Sequence, residues 1–131
     1  MIERMQELLV AERAGVKCLL AMAQEAPAGA KKEFLTTLRN DEGRFCAGLY
    51  RLLQERGVTP RPGAGPFADK VLALRGEDER MALLIKGQAW VVRKIDELPE
   101  PEMTPGEKAF FADMREAHVV NIEACRKYDP R

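Results

Sequence analysis

An all-α four-helix bundle is the fold class this sequence predicts, and three observations predict it. Apolar residues recur at three- and four-residue spacing through four long segments. No strand-like alternation lasts more than a few residues, and no heptad pattern runs long enough for an extended coiled coil. The segments are joined short–long–short, so the middle connection can cross from one end of a bundle to the other. A chain of 131 residues, 46% of them hydrophobic, fits one domain, residues 1–131, with a real core.

The first helix is expected over about residues 2–24, with Met5, Leu8, Leu9, Val16, Leu19 and Leu20 on its inner face. Pro27 and Gly29 break it. The second is expected over about 30–56, with Phe34, Leu38, Phe45, Leu49 and Leu52 inward and Gly57 as its C-terminal cap. Thr59 to Pro66 is the one long irregular connection. Its glycines lack the lysine and spacing of a phosphate loop, and its prolines stiffen it. A short amphipathic helix over about 67–74 follows within the crossover.

The third long helix is expected over about 78–98, opening on acidic residues that suit its dipole, with Met81, Leu84, Val91 and Ile95 inward. Gly87 and Trp90 share a neighbouring face. A mid-helix glycine costs about 1 kcal/mol relative to alanine, so a close approach is expected there, with the Thr59–Pro66 linker as the expected contact of Trp90. Arg93 and Glu97 stand at the spacing of an i,i+4 ion pair. Pro99 and Pro101 end the helix. The fourth is expected over about 105–127, opened by Thr104-Pro105-Gly106-Glu107, a capping box with proline at the first helical position. Phe111, Met114, His118, Ile122 and Cys125 mark its inner face.

Composition removes several function classes. The 21 Lys plus Arg balance 21 Asp plus Glu, so no basic excess draws the chain to nucleic acid. No apolar run reaches membrane-spanning length, and Met1-Ile2-Glu3-Arg4 does not read as a signal peptide, so a cytoplasmic protein is expected. Cys18, Cys46 and Cys125 lie far apart in helical patterns without CxxC spacing, and read as small buried hydrophobes. The chain has no serine and one histidine, which excludes a Ser-His-Asp triad. Cys125 and His118 are about 10 Å apart along one helix, too far for a nucleophile and its base. A homodimer is the expected assembly, and the sequence points to no protein partner.

Four polar residues interrupt the apolar stripes: Glu12, Glu42, Gln88 and His118. Glu12 and Glu42 stand fifteen residues before and after Pro27, so an antiparallel hairpin sets them side by side. Gln88 and His118 stand fourteen before and sixteen after Glu102, near the second turn. Two hairpins joined by a crossover bring all four to one level. Burying unpaired carboxylates is prohibitive, so Glu12 and Glu42 must be neutralised by a metal, a cation or a proton.

This layout resembles the ferritin-like, or rubrerythrin-like, superfamily. The segments Leu9 to Gly15, Gly87 to Lys94 and Met114 to Ile122 look like a small bacterial branch of it with an incomplete di-iron motif. The resemblance implies a bundle whose first and third long helices each supply one Glu, while the second and fourth each supply Glu-x-x-His. Glu12, Glu42 and His118 fit this pattern. Phe45 replaces one histidine, Gln88 one glutamate, and Arg115 the glutamate three before His118. Three of six ligands survive.

Two readings follow from the resemblance. In the favoured one the site is degenerate and holds no cofactor. Arg115 then pairs with Glu12, Glu42 or both, while His118 and Asn121 complete a hydrogen-bonded network with Gln88. The protein is then a non-enzymatic binding or structural module. In the alternative, Glu12, Glu42 and His118 hold a single Fe, Mn or Zn ion, with Gln88 or water completing it, as in a mononuclear metalloprotein or oxidoreductase.

Overall fold

Hydrophobic periodicity becomes five α-helices in the computed structural model, which describes residues 1–128. They are α1 (Ile2–Glu25), α2 (Ala30–Glu55), α3 (Phe67–Ala73), α4 (Glu77–Asp96) and α5 (Pro105–Arg126), with a 3-10 turn at Glu100–Glu102. The described residues contain no strand. None of the helices is long and apolar enough to cross a membrane.

Ion pairs at the helix ends establish the directions. Glu25 at the end of α1 meets Arg80 at the start of α4 at 2.5 Å, and Lys31 at the start of α2 meets Glu77 at 3.0 Å. At the other end Arg4 meets Glu97 at 3.0 Å. Arg56, capping α2, meets Glu107 in the first turn of α5 at 2.6 Å. So α1 and α4 are antiparallel, as are α2 and α5. The diagonal pairs, α1 with α5 and α2 with α4, run parallel. The crossover must therefore travel the length of the bundle, as the short–long–short spacing requires.

Side chains of α1 hold that crossover in place. Gln6 Nε2 donates to Thr59 O at 3.1 Å and Gln6 Oε1 accepts from Arg61 N at 2.6 Å. Arg13 donates to Arg61 O and to Gly63 O, and Lys17 meets Asp69 on α3 at 3.6 Å. Arg13 thus satisfies linker carbonyls instead of standing free in water or pairing across helices. An irregular segment against a helix needs such partners for its backbone.

Terminations follow local chemistry. Thr104 Oγ1 accepts from Glu107 N at 3.1 Å while Glu107 Oε1 accepts from Thr104 N at 2.8 Å, the expected capping box. After α2, Gly57 N bonds Gln54 O and Val58 N bonds Leu53 O, with Gly57 at φ 76°. This is a Schellman ending, which requires a left-handed residue. Gly57→Ala is expected to cost about 1–2 kcal/mol, read as a lower denaturant midpoint at unchanged m-value.

The inner faces are largely those expected, with instructive shifts of phase. On α4 the buried residues Met81, Leu84, Gln88, Val91 and Ile95 match. On α1 the buried stripe passes through Gly15 and Cys18, leaving Val16 half-buried and Leu20 39% exposed. On α5 Asn121 is buried and Ile122 only partly so. Phe34 is half-buried and stacks on Tyr128 with centroids 4.8 Å apart. Arg93 makes no pair with Glu97, which Arg4 and Lys94 take instead.

Two apolar clusters make the core. One contains Met5, Leu8, Leu49, Leu53, Ile95 and Phe111; the other Leu19, Met22, Leu35, Leu38, Met81 and Cys125. Between them lie the four polar residues.

Candidate metal centre

Each long helix brings one polar side chain to this middle layer, and all four are buried. Glu12 is 0% exposed, Glu42 4%, Gln88 3% and His118 1%. Such burial rules out solvation as the means of stabilising two acidic groups. Glu12, Glu42 and His118 each offer a ligand atom, and these atoms lie within 4.8 Å of one another.

His118 is fixed in tautomer and orientation. Its Nδ1 lies 2.8 Å from Met114 O, and a carbonyl can only accept, so Nδ1 carries a proton. Nε2 therefore faces the layer, 2.8 Å from Glu12 Oε1. A neutral ring would set its lone pair against the carboxylate. The contact is stable with a second ring proton, or with a cation shared by both atoms. Phe45, three residues after Glu42, packs its ring on His118 with centroids 5.6 Å apart.

Glu42 is accommodated by an absence on α1. A Cβ on Gly15 would collide with Glu42 Oε2, so a larger residue there would force this carboxyl to shift. Gln88 Nε2 donates to Glu42 Oε1. Two buried atoms have no hydrogen-bond partner, Glu12 Oε2 and Gln88 Oε1, and both belong to the layer. Each such orphan costs about 1–3 kcal/mol.

Charge is distributed accordingly. Burial pushes the Glu42 carboxyl well above the usual range, and the neighbouring Glu12 charge pushes the same way against the Gln88 hydrogen bond. Burial alone would lower His118, but the Glu12 charge, the hydrogen bond to it and the Met114 carbonyl outweigh burial and leave it raised. Both shifts favour the protonated forms of His118 and Glu42 when protons alone occupy the layer.

Two expected members of the layer are elsewhere. Arg115 is exposed and clamps Asp96 through Nε at 2.6 Å and Nη2 at 3.2 Å, so it neutralises neither buried glutamate. The reason is angular: Met114 and His118 face inward, and the next residue after Met114 is turned about 100° away, towards the end of α4. Asn121 is buried but donates to Asp41 Oδ2 at 3.2 Å, tying α5 to α2 beside the layer without meeting Gln88. The favoured reading of the sequence therefore loses its cation. Gly15 belongs to the site although no hydrophobic pattern marks it; a mid-helix glycine three residues after an inward glutamate was the available signal.

The thiols take no part. Cys18 and Cys125 are buried and Cys46 partly so, and burial pushes all three up to about 12. They are neutral packing groups, as their spacing indicates.

The chain belongs to a family described as a domain of unknown function (DUF6306), which it matches over residues 1–127. No curated protein and no solved structure matches it.

Proposed function

We propose that this DUF6306 chain is a ferritin-like protein that binds one divalent transition metal through Glu12, Glu42 and His118. One observation carries the reading: three ligand atoms lie within 4.8 Å of one another in a buried layer to which Arg115, the expected cation, does not contribute. The antiparallel hairpins and the long crossover support the kinship. Two carboxylates and an imidazole suit Fe(II), Mn(II) or Zn(II). The unpartnered Gln88 Oε1, or water, is the fourth ligand atom of this reading. Met114 O orients the imidazole from outside, and Gly15 leaves the space in which Glu42 sits. A bound iron or manganese would supply one-electron chemistry, and zinc Lewis acidity.

Tag-free protein, produced with each metal supplied in turn, is expected to retain about one ion per chain, as a mononuclear site does. His118→Ala should lose it. Elemental analysis beside a thermal melt checks both, because a ligand at a hundred times its Kd adds about 2.7 kcal/mol of stability. Failure to retain any of the three ions, with an unchanged melting temperature, would favour a second reading. That reading rests on the His118–Glu12 contact: a metal-free structural bundle in which protons alone neutralise the layer.

A further inference from the structure

A cavity of about 420 Å³ lies against α1, α3 and α4 and reaches the polar layer. That volume is within the range of small-molecule sites, about 300–1,000 Å³. Its walls are apolar, supplied by Phe67, Leu84, Trp90 and Val91. Its buried polar lining residues are Glu42 and Gln88, and Gln88 Oε1 has no partner. Exposed Lys86 and Arg93 complete the lining, so they stand at the solvent side.

The walls are fixed by close packing. A Cβ on Gly87 would come within 2.7 Å of the Phe67 ring, so α3 can lie on α4 only where the side chain is missing. The crossover helix thus supplies an aromatic wall, and Trp90 supplies another. The close approach expected at Gly87 is to Phe67.

The two cations distinguish this cavity from a generic apolar cleft. Lys86 and Arg93 are seven residues apart on α4, about 10 Å along its axis, and face the same space. Ion pairs of this helix and its cap are made by Glu77, Arg80, Lys94, Asp96 and Glu97. Among the described residues neither Lys86 nor Arg93 has a salt-bridge partner. An anionic group therefore suits the solvent side of the cavity, where among the described residues both cations lack a salt-bridge partner. An apolar body suits the walls. A hydrogen-bond donor suits the floor, where an amide oxygen is orphaned.

We propose that this cavity binds a small amphipathic acid: a carboxylate held by Lys86 and Arg93, an aromatic or aliphatic body between Phe67 and Trp90, and a hydroxyl donating to Gln88 Oε1. The site goes beyond the metal reading but shares Gln88 Oε1 with it, so it is tested in chelator-treated protein, where no ion competes for that oxygen and the outcome does not depend on metal binding.

Trp90 is the sole tryptophan and reports on the cavity by its emission. The probe is 3-(4-hydroxyphenyl)propionate, compared with 3-phenylpropionate, which lacks the donor, and with tyramine, which reverses the charge. Calorimetry and Trp90 emission should both saturate with the hydroxy acid. Tyramine should bind at least about tenfold more weakly, and the phenyl acid several-fold more weakly, as charged and neutral hydrogen bonds differ. A Lys86→Gln/Arg93→Gln variant should lose the preference for acid over amine, and Ala11→Phe, which fills the cavity from α1, should abolish binding. Circular dichroism of both variants should match the parent. The proposal is overturned by the absence of saturable binding, by equal affinity for acid and amine, or by equal affinity for the two acids. Unchanged affinity in Ala11→Phe also overturns it.

Discussion

Arg56→Ala is expected to destabilise the protein by about 3 kcal/mol, the lower end of the range for breaking a buried ion pair. Arg56 grips Glu107 with both arms, Nε to Oε2 at 2.6 Å and Nη2 to Oε1 at 2.8 Å, and also donates to Glu102 O at 2.9 Å. Glu107 is 2% exposed. Removing the guanidinium leaves its carboxylate with the Thr104 backbone amide alone. The outer side of Arg56 is open to water, which places the cost low in the range. Glu107→Gln should cost less, because an amide is easier to bury than an unpaired charge. The two changes together should cost less than their sum, and denaturant midpoints of the four proteins measure that coupling.

This pair also has a definite pH signature. The Arg56 hydrogen bonds hold the Glu107 carboxyl below the usual range. Its contribution is therefore fully present above the unfolded value of 4.5 and lost as pH falls through the lower folded value. Arg56→Ala should remove that acid sensitivity.

The metal-free protein is expected to lose stability as pH rises, opposite to the Glu107 effect and over a different window. Glu42 has a folded pKa raised well above 4.5, and His118 one raised above 6.5. Each takes up a proton on folding. The resulting stability is complete below the unfolded value of each group and disappears as pH climbs through its folded value. Between those limits the slope is about 1.4 kcal/mol per pH unit for each proton. Together with Glu107, this places the optimum of the metal-free form in mildly acidic solution. On the metal reading proposed above, a divalent ion would replace those protons, so its stabilising effect should grow with pH. Glu42→Gln separates the contributions. It imitates the protonated acid, so metal-free Glu42→Gln should keep at alkaline pH the Glu42 share of the stability that the parent loses, with the His118 share still lost, while binding metal poorly. Melts across pH, with and without metal, would show it; parallel parent and variant curves would contradict the charge assignment.

Much of this architecture was legible before any coordinates, for physical reasons. Proline and glycine mark helix ends through backbone geometry, so Thr104, Pro105 and Gly57 were readable locally. Equal distances from the turns placed Glu12 opposite Glu42 and Gln88 near His118, because a helical hairpin fixes axial height by counting residues. What counting cannot supply is rotation to within one residue. Arg115 was expected inward and is one position out of phase, and Leu20 likewise turns to solvent. Contacts between elements distant in sequence were also hidden. Nothing in the pattern of α1 indicates that Gln6 and Arg13 hold linker backbone, or that Arg56 reaches Glu107. Those depend on how far one hairpin slides along the other, a quantity that apolar spacing leaves free. The cavity arose from the same unread dimension, since it needs the crossover helix seated on Gly87.

Gly15 is a hydrogen atom's width of tolerance opposite an acid from the neighbouring helix. Positions 15 and 42 are thereby coupled: a bulkier occupant of the first makes the carboxyl end of the second move. A lineage drifting to alanine at 15 would have to re-aim that carboxyl, and with it one of the three clustered ligand atoms. The smallest residue in the layer thus acts as gatekeeper for its chemistry.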